Sequence, residues 1–375
     1  EQQDLQEQSD GWILTYQSAS RKFLIAKEKN NIFPDEKLLA IADEAHHLGV
    51  NPDEPEGPIW GKAFLRITEK SRLRLGLTGT PFRADNLPFC SARKVQIHKK
   101  GAVIEQINPD LCVEPRELIS AGDVRPLQFH FQDGWVEHSY EGQVDREVSP
   151  LSNEQRESWR ARNLRRAIHL TDSSCIAMQL LLKARKKLID LRSIHKNAAG
   201  LVIAKDIEHA KQISNLLKEH GDTVELAHSQ DKKANQKLSK FKESTTEWLV
   251  SVDMCSEGFD SPRIRVVAYL TTVATESRFL QGITRAVRVP MSRASLEPIP
   301  RHPSHIFAPA DPVLMEYARN WSIAKPYLIK VDQSENQIGS YFSLSKGPNL
   351  PLEAVSDGAS EVITMRTAEL PQFLK

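Results

Sequence analysis

Apolar runs of strand length alternate with helical patterns over residues 199–270. Between the first two runs, apolar residues recur at helical spacing, and Asp206 is placed to cap that helix. Strands that alternate with helices form βαβ units around a parallel sheet. This half of the chain is therefore predicted to be an α/β domain with a parallel sheet. The apolar runs are Ala199–Ala204, Val224–Ala227, Trp248–Val252 and Val266–Leu270.

A further apolar run, residues 38–42, ends abruptly at Asp43 and Glu44, hereafter the acidic pair. Such a run is typical of a buried strand of a parallel sheet, and ligands bind beyond the carboxyl ends of these strands. Asp43 can hold Mg²⁺ there, directly or through a water. Glu44 can act as general base on an attacking water. An ordinary acidic turn would give the same two residues, but here Ala45, His46 and His47 follow.

Two later segments carry polar residues that suit a phosphate site. Residues 72–83 predict a short strand followed by Thr78 and Thr80 around a glycine, although a Gly-Pro turn is the alternative. Residues 279–288 contain Arg285 and Arg288, hereafter the arginine pair, which are predicted to share one helix face. Planar guanidinium groups suit phosphate oxygens. Two surface arginines on an amphipathic helix are the alternative.

These motifs, in this order, resemble those of superfamily 2 helicases and translocases. Asp43-Glu44-Ala45-His46 resembles the DEAH box, and Leu77–Arg83 resembles the family's Thr-Gly-Thr segment. Residues 281–288 resemble Gln-x-x-Gly-Arg-x-x-Arg, with Thr284 at the glycine. The resemblance covers roughly residues 12–290. It looks closest to the branch that contains restriction-enzyme motor subunits and DNA-repair helicases.

The resemblance implies an α/β protein with two RecA-like domains, each with a parallel sheet, and ATP with Mg²⁺ at the cleft between them. In this interpretation the acidic pair and the arginine pair are catalytic, with Asp43 holding Mg²⁺. Nucleic acid is the implied partner, with DNA favoured over RNA. The residues implied to couple hydrolysis to movement are His46, Thr78, Thr80 and Gln281. Those implied to contact the nucleotide are Gly258 and Asp260, and those implied to contact nucleic acid are Thr15, Tyr16 and Ser229.

No Gly-x-x-x-x-Gly-Lys-Ser/Thr loop precedes the acidic pair. Residues 57–63 are similar, but they follow the acidic pair, have one residue too few between the glycines, and carry Ala63 in place of the hydroxyl. We therefore expect the first RecA-like domain to be N-terminally incomplete and this chain alone to be inactive. The loop would come from an upstream segment or a partner subunit.

Two other functions are consistent with this absence. One is a nucleic-acid-binding or scaffold module that does not hydrolyse ATP. The other is a restriction nuclease subunit, although no convincing Asp…Glu-x-Lys cluster supports it.

The predicted domain limits are 1–120 for the partial first domain, 121–198 for a crossing segment and long helical region, 199–325 for the second domain, and 326–375 for a tail or accessory segment. A basic cluster within 183–196 has two interpretations, a phosphate-backbone contact and a solvated helix face. No apolar stretch approaches the roughly 20 residues of a membrane helix. We expect a cytoplasmic or nucleoid-associated protein without a membrane partner.

Overall fold

The computed structural model describes residues 11, 13–25, 38–48, 59–79, 92–99, 102–139, 146–154, 157–170, 175–252, 259–321 and 365–366. The chain forms two compact units. Unit 1 comprises residues 1–112 with 326–338, and unit 2 comprises residues 113–325 with 339–375. The four domain limits drawn from the sequence divide the chain by role rather than by compactness, and they stay predictions.

Unit 1 contains a pair of parallel strands whose ends carry the acidic pair and Thr78. The strands align Ala42 with Gly76. Buried Ala42, Ala45 and Leu48 pack against aromatic side chains from two helices. An antiparallel hairpin lies further along the chain. The elements are α1 (Tyr16–Ile25), β1 (Leu39–Ala42), a 3-10 turn (Ala45–Leu48), α2 (Ile59–Ile67), β2 (Leu73–Gly76), β3 (Lys94–Lys99) and β4 (Ala102–Ile107).

The chain before β1 differs from its sequence-based prediction. The apolar, β-branched and aromatic residues at positions 12–16 predict a strand. In the structure, residues 13–15 have no regular structure and Tyr16 begins α1. The reason is local capping, since the Thr15 hydroxyl oxygen accepts a hydrogen bond from the Ser18 amide at 3.1 Å. A threonine at this position satisfies an amide that the first helical turn leaves unpaired. Strand propensity is outweighed by that bond.

Unit 2 contains the four strands that the sequence predicts over residues 199–270. The 151–196 region is two helices on either side of residues 171–174, which lie outside the described part. Asp206 caps the helix after the first predicted strand, because its carboxylate accepts the His209 amide at 2.8 Å. The elements are α3 (Pro115–Ala121), β5 (Leu127–Gln132), β6 (Trp135–Ser139), β7 (Arg146–Pro150), a 3-10 turn (Leu151–Asn153), α4 (Glu157–Ala167), α5 (Ile176–Ile194), β8 (Ala199–Ala204), α6 (Ile207–Glu219), β9 (Val224–Ala227), α7 (Ala234–Glu243), β10 (Trp248–Ser251), β11 (Ile264–Leu270), α8 (Glu276–Ile283), a 3-10 turn (Thr284–Ala286), α9 (Met291–Ala294), β12 (Ser304–Pro309), α10 (Pro312–Trp321) and β13 (Met365–Arg366).

Six parallel strands form the central sheet of unit 2, in the order β5-β12-β11-β8-β10-β9. Side chains of α4, α5 and α6 cover one face, and those of α7, α8 and α10 cover the other. Strands covered on both faces have no polar side, which explains their continuous apolar runs. The predicted α/β class with a parallel sheet is confirmed. A small antiparallel sheet, β13-β6-β7, lies apart from it.

The described helices include none that is both long and apolar enough to cross a lipid bilayer.

The core of this sheet has a tight contact between neighbouring strands. Gly200 on β8 pairs with Trp248 on β10. A Cβ added at Gly200 would lie 2.2 Å from the Trp248 ring, which is fully buried. Only glycine leaves room for the indole at this position.

We predict that Gly200→Ala lowers the free energy of unfolding by about 1–3 kcal/mol, because an added methyl overpacks a core that cannot move aside. Chemical denaturation followed by circular dichroism measures the change. Gly11→Ala is the matched control, since nothing lies within 4 Å of a Cβ added there. Equal unfolding midpoints for the two variants would contradict the packing described here.

Candidate nucleotide and nucleic-acid sites

The acidic pair follows β1 directly and lies at the carboxyl edge of the β1-β2 pair. Two backbone hydrogen bonds tie this edge together. The Leu77 amide donates to the Ala42 carbonyl at 2.8 Å, and the Ala45 amide donates to the Leu77 carbonyl at 2.9 Å. These bonds bracket the acidic pair and fix it beside Leu77, the residue before Thr78. The structure therefore brings the acidic pair and Thr78 to one edge.

The backbone of Glu44 has a conformation that is unusual for a residue with a side chain. Its φ is +50°, in the left-handed region. Such a residue costs roughly 1–3 kcal/mol unless its surroundings hold it there. The Asp43 carboxylate accepts the Glu44 amide at 3.0 Å, and the Tyr16 hydroxyl donates to the Asp43 carbonyl. These contacts hold the turn, and both residues are exposed to solvent.

An exposed carboxylate at this edge suits Mg²⁺. This ion keeps several waters and is usually held by one or two carboxylates together with substrate phosphates. Asp43 fits that pattern. The described residues contain no group of three or more His, Cys, Asp or Glu side chains that could hold a metal ion. A metal ion at Asp43 would therefore need waters and substrate phosphates as further ligands.

The other candidates in unit 1 have varied positions. His46 lies in the 3-10 turn after the acidic pair. Thr80 is outside the described residues. Thr15 caps α1, and Tyr16 stacks on Trp60 with ring centroids 6.5 Å apart. Residues 61–63 lie within α2, which agrees with rejecting 57–63 as a phosphate loop.

The arginine pair does not share one helix face, so that prediction is wrong. Helix α8 carries Gln281 but ends at Ile283, and Arg285 lies in the 3-10 turn that follows. Arg288 lies beyond that turn. Pro290 disfavours helical backbone angles at Val289, the residue that follows Arg288.

The arginine pair instead contacts the predicted nucleotide segment. An Arg285 guanidinium nitrogen donates to the Phe259 carbonyl at 2.9 Å. Arg288 Nε lies 3.5 Å from Asp260 Oδ1, and both side chains are about half exposed. Exposed pairs of this kind contribute only about 0–1 kcal/mol, so Arg288 can exchange its partner for a phosphate at little cost. Gly258 is outside the described residues.

A groove of about 650 Å³ lies at the carboxyl ends of β8, β9 and β10 in unit 2. Ser229 lines it, as the sequence-based assignment to nucleic acid would require. Two lysines that sequence reasoning did not select, Lys205 and Lys211, line it as well. Lys205 directly follows β8, and this position after a strand was the signal available in the sequence. The remaining lining residues are Asp206, Ile207, Glu208, Gln230 and Val252.

Three of the six basic residues in the cluster of residues 183–196 form contacts within unit 2. Arg185 pairs with Asp222 at 2.8 Å, and Arg192 donates to the Ala198 carbonyl at 2.6 Å. Lys183 donates to the Gln132 side chain at 2.6 Å. These bonds favour a structural role over a phosphate-backbone contact for the three side chains.

Comparison with known proteins assigns the class. Residues 1–83 match the family model for the res subunit of type III restriction enzymes. Residues 183–290 match the helicase conserved C-terminal domain. The two matches cover the acidic pair with Thr78, and the arginine pair with Asp260. The chain is therefore a superfamily 2 helicase-like protein.

Its similar proteins include two that are uncharacterized. One from Mycobacterium leprae is 32% identical over 81% of this chain and 48% of its own length. One from Mycobacterium tuberculosis is 32% identical over 78% of this chain and 46% of its own length. A solved fragment described as an HsdR subunit of a type I restriction enzyme from Vibrio vulnificus is 20% identical, with a TM-score of 0.48, over 81% of this chain and 48% of that one. The chain spans about half the length of the curated relatives it matches.

His209 on α6 is buried and contacts Lys205 and Asp206, two residues that line the groove of unit 2. The Lys205 amide donates to His209 Nδ1 at 3.3 Å, and the His209 amide donates to Asp206. Burial, together with the nearby charge of Lys205, lowers the pKa of His209 to about 4. The folded protein therefore keeps this imidazole neutral at pH values where an exposed histidine would be charged.

We predict that His209 makes unit 2 less stable in acid. Between pH 6.5 and 4, the unfolded chain protonates His209 whereas the folded chain does not. Its stabilising contribution is complete above pH 6.5 and is lost towards pH 4, by on the order of 3 kcal/mol. Denaturation of the parent protein and His209→Gln across this range measures the difference, because the variant removes this titration alone. Parallel stability curves for the two proteins would contradict the prediction.

Proposed function

We propose that this chain is part of an ATP-dependent helicase or translocase that acts on nucleic acid, with DNA favoured over RNA. The observation that carries the proposal is the edge of the β1-β2 pair, where two backbone bonds hold the acidic pair beside Thr78. A metal-binding carboxylate, a water-activating carboxylate and a hydroxyl at one strand edge suit nucleoside triphosphate hydrolysis.

In this proposal the acidic pair and the arginine pair supply different parts of the chemistry. Asp43 would hold Mg²⁺, and the ion would neutralise phosphate charge when bound. Glu44 accepts a proton from a water that attacks the γ-phosphorus, and the bond to the ADP oxygen breaks. The arginine pair stabilises the charge that develops on the phosphate oxygens, a role worth about 10³–10⁵ in rate in related enzymes.

Coupling of hydrolysis to movement is assigned to residues near these groups. His46 and Thr78 adjoin the acidic pair along the chain or across the strand pair, and Thr80 follows closely. Gln281 lies one turn before the arginine pair. Gly258 and Asp260 are proposed to contact the nucleotide, and the Arg288–Asp260 contact supports placing Asp260 near the phosphates.

Nucleic-acid binding is assigned to the groove of unit 2 and to the start of α1. Lys211 and Ser229 offer a cation and a hydroxyl in the groove, which suits phosphate oxygens. Lys205 Nζ lies 3.2 Å from an Asp206 carboxylate oxygen in the same groove, so a phosphate would have to replace that partner. Thr15 and Tyr16 are the proposed contacts in unit 1. The preference for DNA is supported by the match of residues 1–83 to a restriction-enzyme subunit model. In this proposal, a phosphate loop from an upstream segment or a partner subunit completes the ATPase site.

We predict that the protein encoded by the complete reading frame hydrolyses ATP and that single-stranded DNA stimulates it. Glu44→Gln should lower kcat by at least about 100-fold, because it removes the general base while keeping the shape of the side chain. Arg288→Ala should lower kcat by about 10³-fold or more. Steady-state phosphate release with and without DNA or RNA of the same sequence measures these effects.

Arg319→Ala is the control for the loss of an exposed arginine elsewhere in unit 2. Parent activity with an unaffected Arg288→Ala variant would refute the role of Arg288. Nucleic-acid binding without any ATP hydrolysis by the parent would instead favour a binding or scaffold module.

We further predict that Lys211→Gln weakens nucleic-acid binding and reduces the slope of log affinity against log salt by about 1, because one phosphate contact is lost. Fluorescence anisotropy over a salt series measures both quantities. Lys218→Gln is the matched control, since this lysine lies on the same helix but does not line the groove. Equal affinities for the two variants would show that the groove does not carry the phosphate backbone.

A further inference from the structure

Arg125, in the segment before β5, is completely buried. It contacts residues 284–290, hereafter the arginine segment. Its backbone amide donates to the Val287 carbonyl at 2.8 Å, and its Nε donates to the Arg288 carbonyl at 3.3 Å. One further guanidinium nitrogen reaches the His302 carbonyl at 3.3 Å. A single side chain and its own amide thus hold the main chain at Val287 and Arg288.

Glu297 holds Arg125 in this orientation. Its carboxylate accepts both terminal guanidinium nitrogens of Arg125, one of them at 2.9 Å, and it also accepts Arg293 Nε at 2.8 Å. The side chain of Glu297 is only 2% exposed. Burial alone would raise the pKa of Glu297, but the hydrogen bonds from Arg125 and Arg293 outweigh it and lower the pKa to about 2. The carboxylate therefore stays charged at any working pH.

Arg301 joins the chain near Gly122 to the chain near Glu297 by further hydrogen bonds. Arg301 donates to the Gly122 carbonyl at 2.8 Å and to the Glu297 carbonyl at 2.7 Å. Gly122 has a φ of +78°, and a Cβ there would lie 2.8 Å from Ile299. Hydrogen bonds therefore join residues 122–125 to residues 287–302 within unit 2.

We propose that Arg125 is a positioning residue for Arg288, with Glu297 as its orienting partner. This inference rests on the proposed function of Arg288 in ATP hydrolysis. Arg125 has no exposed atoms with which to meet a substrate, so it acts through the backbone carbonyls of Val287 and Arg288.

Such an anchor is needed because the surroundings of Arg288 are otherwise permissive. Helix α8 has already ended at Ile283, so no helical hydrogen bonds fix the backbone at Arg288. The Asp260 contact is exposed and weak. A guanidinium that must meet a developing phosphate charge loses about 100-fold in rate when it is misplaced by about 1 Å. Arg125 supplies the missing backbone restraint.

The test compares the parent with Arg125→Lys in the protein encoded by the complete reading frame. Lysine keeps a charge beside Glu297 but lacks the planar fork that reaches three acceptor groups at once. We expect kcat for ATP to fall about 10- to 100-fold while KM changes less than about twofold. Hydrogen exchange of the peptide over residues 284–290 should accelerate, with the six-stranded sheet unchanged.

Arg160→Lys is the matched control. One guanidinium nitrogen of buried Arg160 donates to both carboxylate oxygens of Asp311, at 3.1 and 3.0 Å, far in sequence from the arginine segment. This variant reports the cost of weakening a buried pair without loosening Arg288. A second variant, Arg125→Met, guards against an effect specific to lysine, because it removes the buried charge while Glu297 keeps its hydrogen bond from Arg293. It should reproduce the kcat defect of Arg125→Lys.

The outcomes separate the two proposals. A selective kcat defect with faster exchange over 284–290, absent from Arg160→Lys, supports positioning. A kcat equal to that of Arg160→Lys overturns it, whatever the exchange shows. A parent protein that hydrolyses no ATP overturns the proposed function itself, and this failure is recognised in the parent rather than in the variant.

Discussion

Burial of the central strands on both faces governs how unit 2 presents its polar residues. Every strand of a parallel sheet runs in the same direction, so the chain must return over a face of the sheet between strands, usually as a helix. The residues that follow the strands are then gathered at one edge, where backbone is free of the ladder and polar side chains meet solvent. Lys205 and Ser229 come together in one groove for this reason. The β1-β2 pair of unit 1 follows the same rule with the acidic pair and Thr78.

The turn at the acidic pair illustrates how a working conformation is held. Glu44 has a positive φ that its side chain disfavours. Backbone bonds between the strand ends, the Asp43 carboxylate and the Tyr16 hydroxyl together overdetermine the turn. Both residues are exposed to solvent while their backbone is fixed. A rigid support beneath exposed residues is what the proposed metal ligand and general base require.

Two kinds of ion pair occur around the arginine segment of unit 2, one exposed and one buried. The Arg288–Asp260 pair is exposed and weak, so it suits a residue that changes partners. The Arg125–Glu297 pair is buried and multiply hydrogen-bonded, so removing one partner would leave an uncompensated charge in the interior. The buried Arg125–Glu297 pair thus fixes the backbone of Arg288, which forms the exposed pair with Asp260.

The sequence by itself determined the α/β class, the strands from residue 199 onwards, the Asp206 cap and the order of the motifs. These follow from local spacing and from apolar runs, which need no knowledge of distant residues. Local reading failed at residues 13–16 and in the arginine pair, where a threonine cap and an early helix end outweighed propensity. Tertiary structure alone decided the rest. Arg125 and Glu297 are 172 residues apart, and the groove combines residues after three different strands, so only packing could bring them together.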